Sequence, residues 1–185
     1  MGQGRVSGAV VLATVVVACT LSCAAGVGAA ATISRVGGVV NVFAESSGTA
    51  PGRIVLTGAI GDSGSTTNVN ADGKIDAKGD YIKLALRAGT ITVDLTALYK
   101  LVGSASPSFT TATCSASFAA TSPVPLVRAT GAYQGVSGNV SLTFTVAVVL
   151  PRYTSGKKKG QCNINGRPTG EQVFVTGSGT IAFSG

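Results

Sequence analysis

From Val39 onward apolar and polar residues alternate with a period of two, and Gly or Pro interrupts the pattern every ten or so positions. That period sends successive side chains to opposite faces of a strand, and frequent turn residues join such strands antiparallel. Strands are predicted over residues 39–44, 53–60, 65–69, 81–87, 90–97, 111–119, 124–129, 138–150 and 173–183. Eight or nine short strands suit an all-β fold, either a closed antiparallel barrel of eight or nearly eight strands or a sandwich. The segment "TALYKLV", residues 96–102, is the one stretch with a helical pattern.

One hairpin carries enough pattern to predict its register. With Ala88-Gly89 at the turn, Ile82 faces Leu95, Leu84 faces Val93 and Leu86 faces Ile91. The other face pairs Lys83 with Asp94, Ala85 with Thr92 and Arg87 with Thr90. Apolar meets apolar and acid meets base, and a slip of one residue would destroy both. An exposed Lys83–Asp94 pair contributes only about 0.2–1 kcal/mol.

Residues 129–151, "ATGAYQGVSGNVSLTFTVAVVLP", set Gly131, Gly135 and Gly138 before a long alternating run. A phosphate-binding loop needs a helix after its glycines and a terminal Gly-Lys-Ser/Thr; here a strand follows and that ending is missing. The glycines are therefore expected at turn or bulge positions where a Cβ would clash, with Tyr133 packed between them. The segment Thr130-Gly131-Ala132-Tyr133-Gln134-Gly135-Val136-Ser137-Gly138-Asn139-Val140, with its extended run to Pro151, resembles the Gly-rich aromatic hairpin of the allene oxide cyclase and dirigent barrel superfamily. About twenty residues carry this resemblance; the rest of the chain agrees in strand pattern and length. It implies an eight-stranded barrel with an apolar interior, often oligomeric in the plant relatives, so a homo-oligomer is an expectation. It carries no catalytic residue across, because the family's carboxylates and pocket groups find no matching positions. "YTSGKKKGQCN", Tyr153 to Asn163, is similar to segments of secreted actinobacterial proteins.

The first 31 residues differ from the rest. Arg5 precedes an apolar run at 9–21, and Ala29-Ala30-Ala31 offers a small-residue cleavage site, the pattern of a secretion signal that is removed. One domain, 32–185, is expected to remain. Val17-Ala18-Cys19 is a competing lipidation box, although Thr20-Leu21 continues the apolar run beyond it. Of four cysteines, Cys19 and Cys23 lie in the leader, leaving Cys114 and Cys162. Two thiols in one small exported domain are expected to pair as a disulfide.

Setting Arg5 aside, 13 basic residues stand against 7 acidic ones, a balance that favours anionic surfaces. The absence of histidine excludes Ser-His and Cys-His nucleophilic catalysis. Catalytic residues are not identified. Asp94 and Glu171, in or beside predicted strands, join Lys83 as polar candidates for a barrel interior. Neither metal nor cofactor is expected. "NVNADGKIDAKG", 68–79, spaces Asn68, Asn70, Asp72 and Asp76 as a calcium loop would, but ends on Gly79 where a bidentate Glu belongs, and an Asp-Gly hairpin loop fits better.

Lys157-Lys158-Lys159 reads as a solvated loop tip able to meet an anionic envelope component. With only Tyr153 near to stack on bases, no nucleic-acid partner is expected. Asn139-Val140-Ser141 matches a glycosylation acceptor but begins a strand. Six Phe and four Tyr are too few for the aromatic girdles of an outer-membrane barrel. The leading expectation is a secreted barrel that binds an apolar small molecule or an envelope component without catalysis. The alternatives are an isomerase of the allene oxide cyclase type, which needs a cavity of roughly 300 Å³ or more with convergent polar groups, and a structural protein with a filled barrel.

Overall fold

The computed structural model describes residues 35–46 and 51–184, so the expected leader and its two cysteines lie outside the described residues. Chain order is β1 (Gly38–Ser46), β2 (Gly52–Gly58), β3 (Asp62–Val69), β4 (Tyr81–Leu86), β5 (Gly89–Asp94), α1 (Thr96–Ser104), β6 (Ser108–Thr110), β7 (Ser115–Gly131), β8 (Val136–Val149) and β9 (Gly170–Phe183). The strands lie in the order β5-β4-β3-β2-β1-β9-β8-β7-β6, and β5 also pairs with β7. Eight strands thus close an antiparallel barrel, with β6 added outside on β7.

Alternation sets the two faces. Val40 and Val42 of β1, Ile54 and Leu56 of β2, Leu84 of β4, Ile91 and Val93 of β5, and Val140 and Leu142 of β8 are buried and form one interior cluster. The strands are unequal in length. β7, β8 and β9 run on past the barrel as a three-stranded ribbon, pairing Ser115 with Val149 and Val149 with Gly170. A disulfide between Cys114 and Cys162 ties the ribbon's end to the loop joining β8 and β9. Arg152 braces that loop by donating to the carbonyls of Gly160 and Ala112, both at 2.6 Å.

Three sequence expectations are corrected. Residues 111–119 and 124–129 do not form two strands: β7 is continuous from Ser115, and residues 111–114 make a turn after β6. Pro123 and Pro125 are tolerated inside β7 because its edge away from β8 carries no ladder between β6 at Ser117 and β5 at Leu126. The strand expected over 90–97 ends at Asp94, whose Oδ1 accepts the Thr96 N–H at 2.8 Å and turns the chain into α1.

The β4–β5 register is the third correction. Ile82 faces Val93, Leu84 faces Ile91, and Lys83 faces Thr92; Asp94 stands opposite Tyr81. The faces are those expected, but the turn is Arg87-Ala88 and the partners are displaced by two residues. A slip of two preserves every face, so alternation cannot detect it. Contacts outside the hairpin decide. Ala88 N–H donates to Asp62 Oδ2 at 3.1 Å, and its carbonyl accepts from Ala132 N–H at 2.9 Å. Gly89 sits in the strand because β7 presses on it: a Cβ there would lie 2.2 Å from the Thr130 carbonyl oxygen.

Candidate functional site

The barrel is hollow. A cavity of about 540 Å³ runs along its axis, walled by residues from all eight barrel strands and by Leu98 and Tyr99 of α1. Most of the wall is aliphatic, with Phe144 the only phenylalanine in it among the described residues. Its mouth lies where β1 ends and β2 begins, among Ser46, Pro51 and Gly52, and is flanked by Ile75 and Ala77 from the loop between β3 and β4. Ile75 is 79% exposed there.

Polar atoms enter this wall chiefly from β3. Its sequence, "DSGSTTNV", breaks the apolar alternation kept by every neighbour. Pairing places Thr66 opposite Leu84 and Asn68 opposite Ile82, so these two polar side chains share the inward face with buried aliphatics. Asn68 Nδ2 donates to Tyr99 Oη at 3.4 Å. Burial pushes the Tyr99 hydroxyl above its ordinary pKa, and the Asp80 carboxylate adds to this, while the Asn68 contact works against it. Tyr99 is therefore a neutral O–H donor at physiological pH. Glu45, exposed at the rim, is the one charged residue of the wall among the described residues.

The opposite end of the barrel is sealed. Tyr133 is fully buried and its hydroxyl donates to Asp62 Oδ2 at 2.5 Å. Asp62 also accepts the N–H groups of Ser63 at 2.6 Å and Ala88 at 3.1 Å. Burial alone would raise the Asp62 pKa, but the combined hydrogen bonds outweigh it and hold the carboxyl below its ordinary value. Burial and that same carboxylate push the Tyr133 hydroxyl well above the usual tyrosine range. The turn carrying Tyr133 is shaped by Gly131, Gly135 and Gly138, whose φ angles are 65°, 82° and 138°. Tyr133 and Asp62 form a structural pin at this end, and neither lines the cavity.

None of the three polar candidates from the sequence reaches the cavity. Asp94 is occupied in starting α1, Lys83 lies on the outward side of β4 between Thr67 and Thr92, and Glu171 is exposed opposite Val148 at the ribbon. Asn68 and Tyr99 were missed as a pair. Their signal was present, since 62–68 is a strand without an apolar face and 96–102 has a helical pattern, but their meeting is a tertiary fact.

In the loop at 70–80, Asn70 Oδ1 accepts from Asp72 and Lys74 N–H, and Asp76 Oδ1 from Lys78 N–H. These oxygens serve the loop's own backbone. Lys157, Lys158 and Lys159 are exposed, with Lys158 Nζ 5.6 Å from the Tyr153 ring centroid. Asn139 lies within β8, between Pro125 and Thr180. Comparison of the chain with protein-family models, with curated proteins and with solved structures gave no match in any of the three.

Proposed function

We propose that this protein is an exported binding protein that encloses an apolar small molecule in its barrel without transforming it. The hollow interior carries this reading. Its volume falls within the roughly 300–1,000 Å³ of pockets for drug-sized ligands, and an apolar wall with few polar groups is the usual composition of such sites. The disulfide supports an oxidising compartment, in keeping with a leader at 1–31. A hollow eight-stranded barrel with glycines at positive φ around Tyr133 also supports kinship with the allene oxide cyclase and dirigent superfamily.

The cyclase alternative is weaker and the filled barrel weaker still. The volume exceeds what a cyclase would need, but the acids held in defined hydrogen bonds, Asp62, Asp76 and Asp94, lie outside the cavity. A titration with the neutral fluorophore N-phenyl-1-naphthylamine tests the binding reading. The parent should bind it saturably, and Val42→Phe, which intrudes on the cavity, should weaken binding at least tenfold while the protein still melts cooperatively. Equal affinity in a folded Val42→Phe variant would place the probe elsewhere and overturn the reading.

A second contact has its own support. The loop from Pro151 to Gly170 carries five basic residues and no acid, and the disulfide holds it at the ribbon tip. It suits attachment to an anionic envelope polymer through Lys157, Lys158 and Lys159.

A further inference from the structure

We infer that the cavity is made for a neutral apolar alcohol, with its hydroxyl set between Tyr99 and Asn68 and its hydrocarbon body along the aliphatic wall; this rests on the binding reading above. Charge makes the first distinction. No lysine or arginine belongs to the cavity wall among the described residues, and the chain has no histidine. A carboxylate drawn inside would lose its hydration without gaining a cation. Asp80, whose field reaches Tyr99, adds repulsion, whereas Glu45 at the rim stands opposite Arg53 across β1 and β2. Lys74 and Lys78 flank Ile75 and Ala77 in the mouth loop but are exposed and not part of the wall.

Hydrogen-bonding capacity makes the second. Tyr99 Oη accepts from Asn68 Nδ2 at 3.4 Å and donates its own proton to nothing among the described residues. Asn68 Oδ1 likewise has no partner there, yet no side-chain oxygen or nitrogen of the described residues is both sealed from solvent and unpaired. That oxygen is therefore accessible. The pair presents one donor, Tyr99 O–H, and one acceptor, Asn68 Oδ1, close together on a mainly aliphatic wall that also holds Thr66. A hydroxyl satisfies both, a ketone or ether only the donor, and a carboxylate only the donor while adding an unpaired charge.

The test uses displacement of N-phenyl-1-naphthylamine by 1-dodecanol and by dodecanoate at pH 8, below the micellar range of each. The parent should prefer the alcohol by at least tenfold, and Tyr99→Phe should weaken dodecanol binding by about 3- to 10-fold, the loss of one hydrogen bond. If the fluorophore binds but dodecanoate competes as well as dodecanol, the inference fails while the binding reading stands. A folded Tyr99→Phe variant with unchanged dodecanol affinity overturns the placement of the hydroxyl. Failure of fluorophore and alcohol alike to bind overturns both readings.

Discussion

Replacing Tyr133 by Phe removes one hydroxyl from the sealed end of the barrel and leaves the ring where it is. Tyr133 is fully buried, and the lost bond is a 2.5 Å donation to the Asp62 carboxylate. A hydrogen bond to a charged group contributes about 1.5–3 kcal/mol. Asp62 keeps the Ser63 and Ala88 N–H groups, so the carboxylate is not orphaned and the loss should stay within that range. In a domain of this size each kcal/mol moves the melting temperature by about 2–4 °C, so Tyr133→Phe should melt about 3–12 °C lower at pH 7.

Acid supplies an internal control. Hydrogen bonding holds the Asp62 pKa below its ordinary value, so the unfolded chain takes up this proton more readily than the folded one. The resulting stability is complete above the unfolded carboxyl pKa of about 3.9 and is lost as pH falls through the lower folded value. The gap between parent and Tyr133→Phe should therefore narrow in strong acid. Urea unfolding of the parent, Tyr133→Phe, Asp62→Asn and the double variant, at pH 7 and in acid, gives the coupling directly. A melting temperature within 1 °C of the parent for Tyr133→Phe at pH 7, or no coupling in the cycle, would refute the pin.

Gly138→Val should destabilise by about 1–3 kcal/mol through strain at a φ of 138°, with an added clash because a Cβ would lie 2.4 Å from the Thr180 carbonyl oxygen. Gln134→Val on the exposed turn beside it should change stability by less than about 0.5 kcal/mol, and thermal melts of the two compare them. Replacing Cys114 and Cys162 together by Ala opens a link spanning 48 residues and should cost about 4 kcal/mol by chain entropy. Two alkylatable thiols in the unreduced native protein, seen by intact mass, would contradict the bond. Changing Lys157, Lys158 and Lys159 to Ala should lower the salt needed to elute the protein from a heparin matrix without moving its melting temperature, since all three side chains are exposed.

What alternation encodes was legible: which residues face in, that the strands are antiparallel, and that Leu84 and Ile82 meet apolar partners across the hairpin. What it cannot encode is any displacement that preserves faces, and the β4–β5 register is such a case. Gly89 looked like a turn residue because glycine usually is one, whereas it is required by the approach of Thr130 on a strand some forty residues away. Polar residues were judged by their neighbours in sequence. That favoured Asp94 and Lys83 and passed over Asn68, although a run without apolar alternation, flanked by strands that have it, is itself a signal of polar groups inside.

The two ends of this barrel differ in how tightly they are packed. At the sealed end Ile60, Ile181 and Tyr133 are at most 2% exposed, and the Asp62 bonds join β3 to the turns after β4 and β7. Toward the middle, Gly177 and Gly179 of β9 lie opposite Val42 and Val40 of β1, and a Cβ on them would meet the β8 carbonyl oxygens of Ser141 and Asn139 at 2.3 and 2.2 Å, so glycine there lets β9 lie close against β8. At about 24 cal/mol per Å³, a closed apolar void of 540 Å³ would cost on the order of 13 kcal/mol, as much as the whole net stability of a typical domain. Water entering at the mouth reduces that cost, and an apolar occupant reduces it further. The Tyr133–Asp62 bond lies outside the cavity wall, so an occupant of the cavity would add to the stability of the fold without having to break that bond.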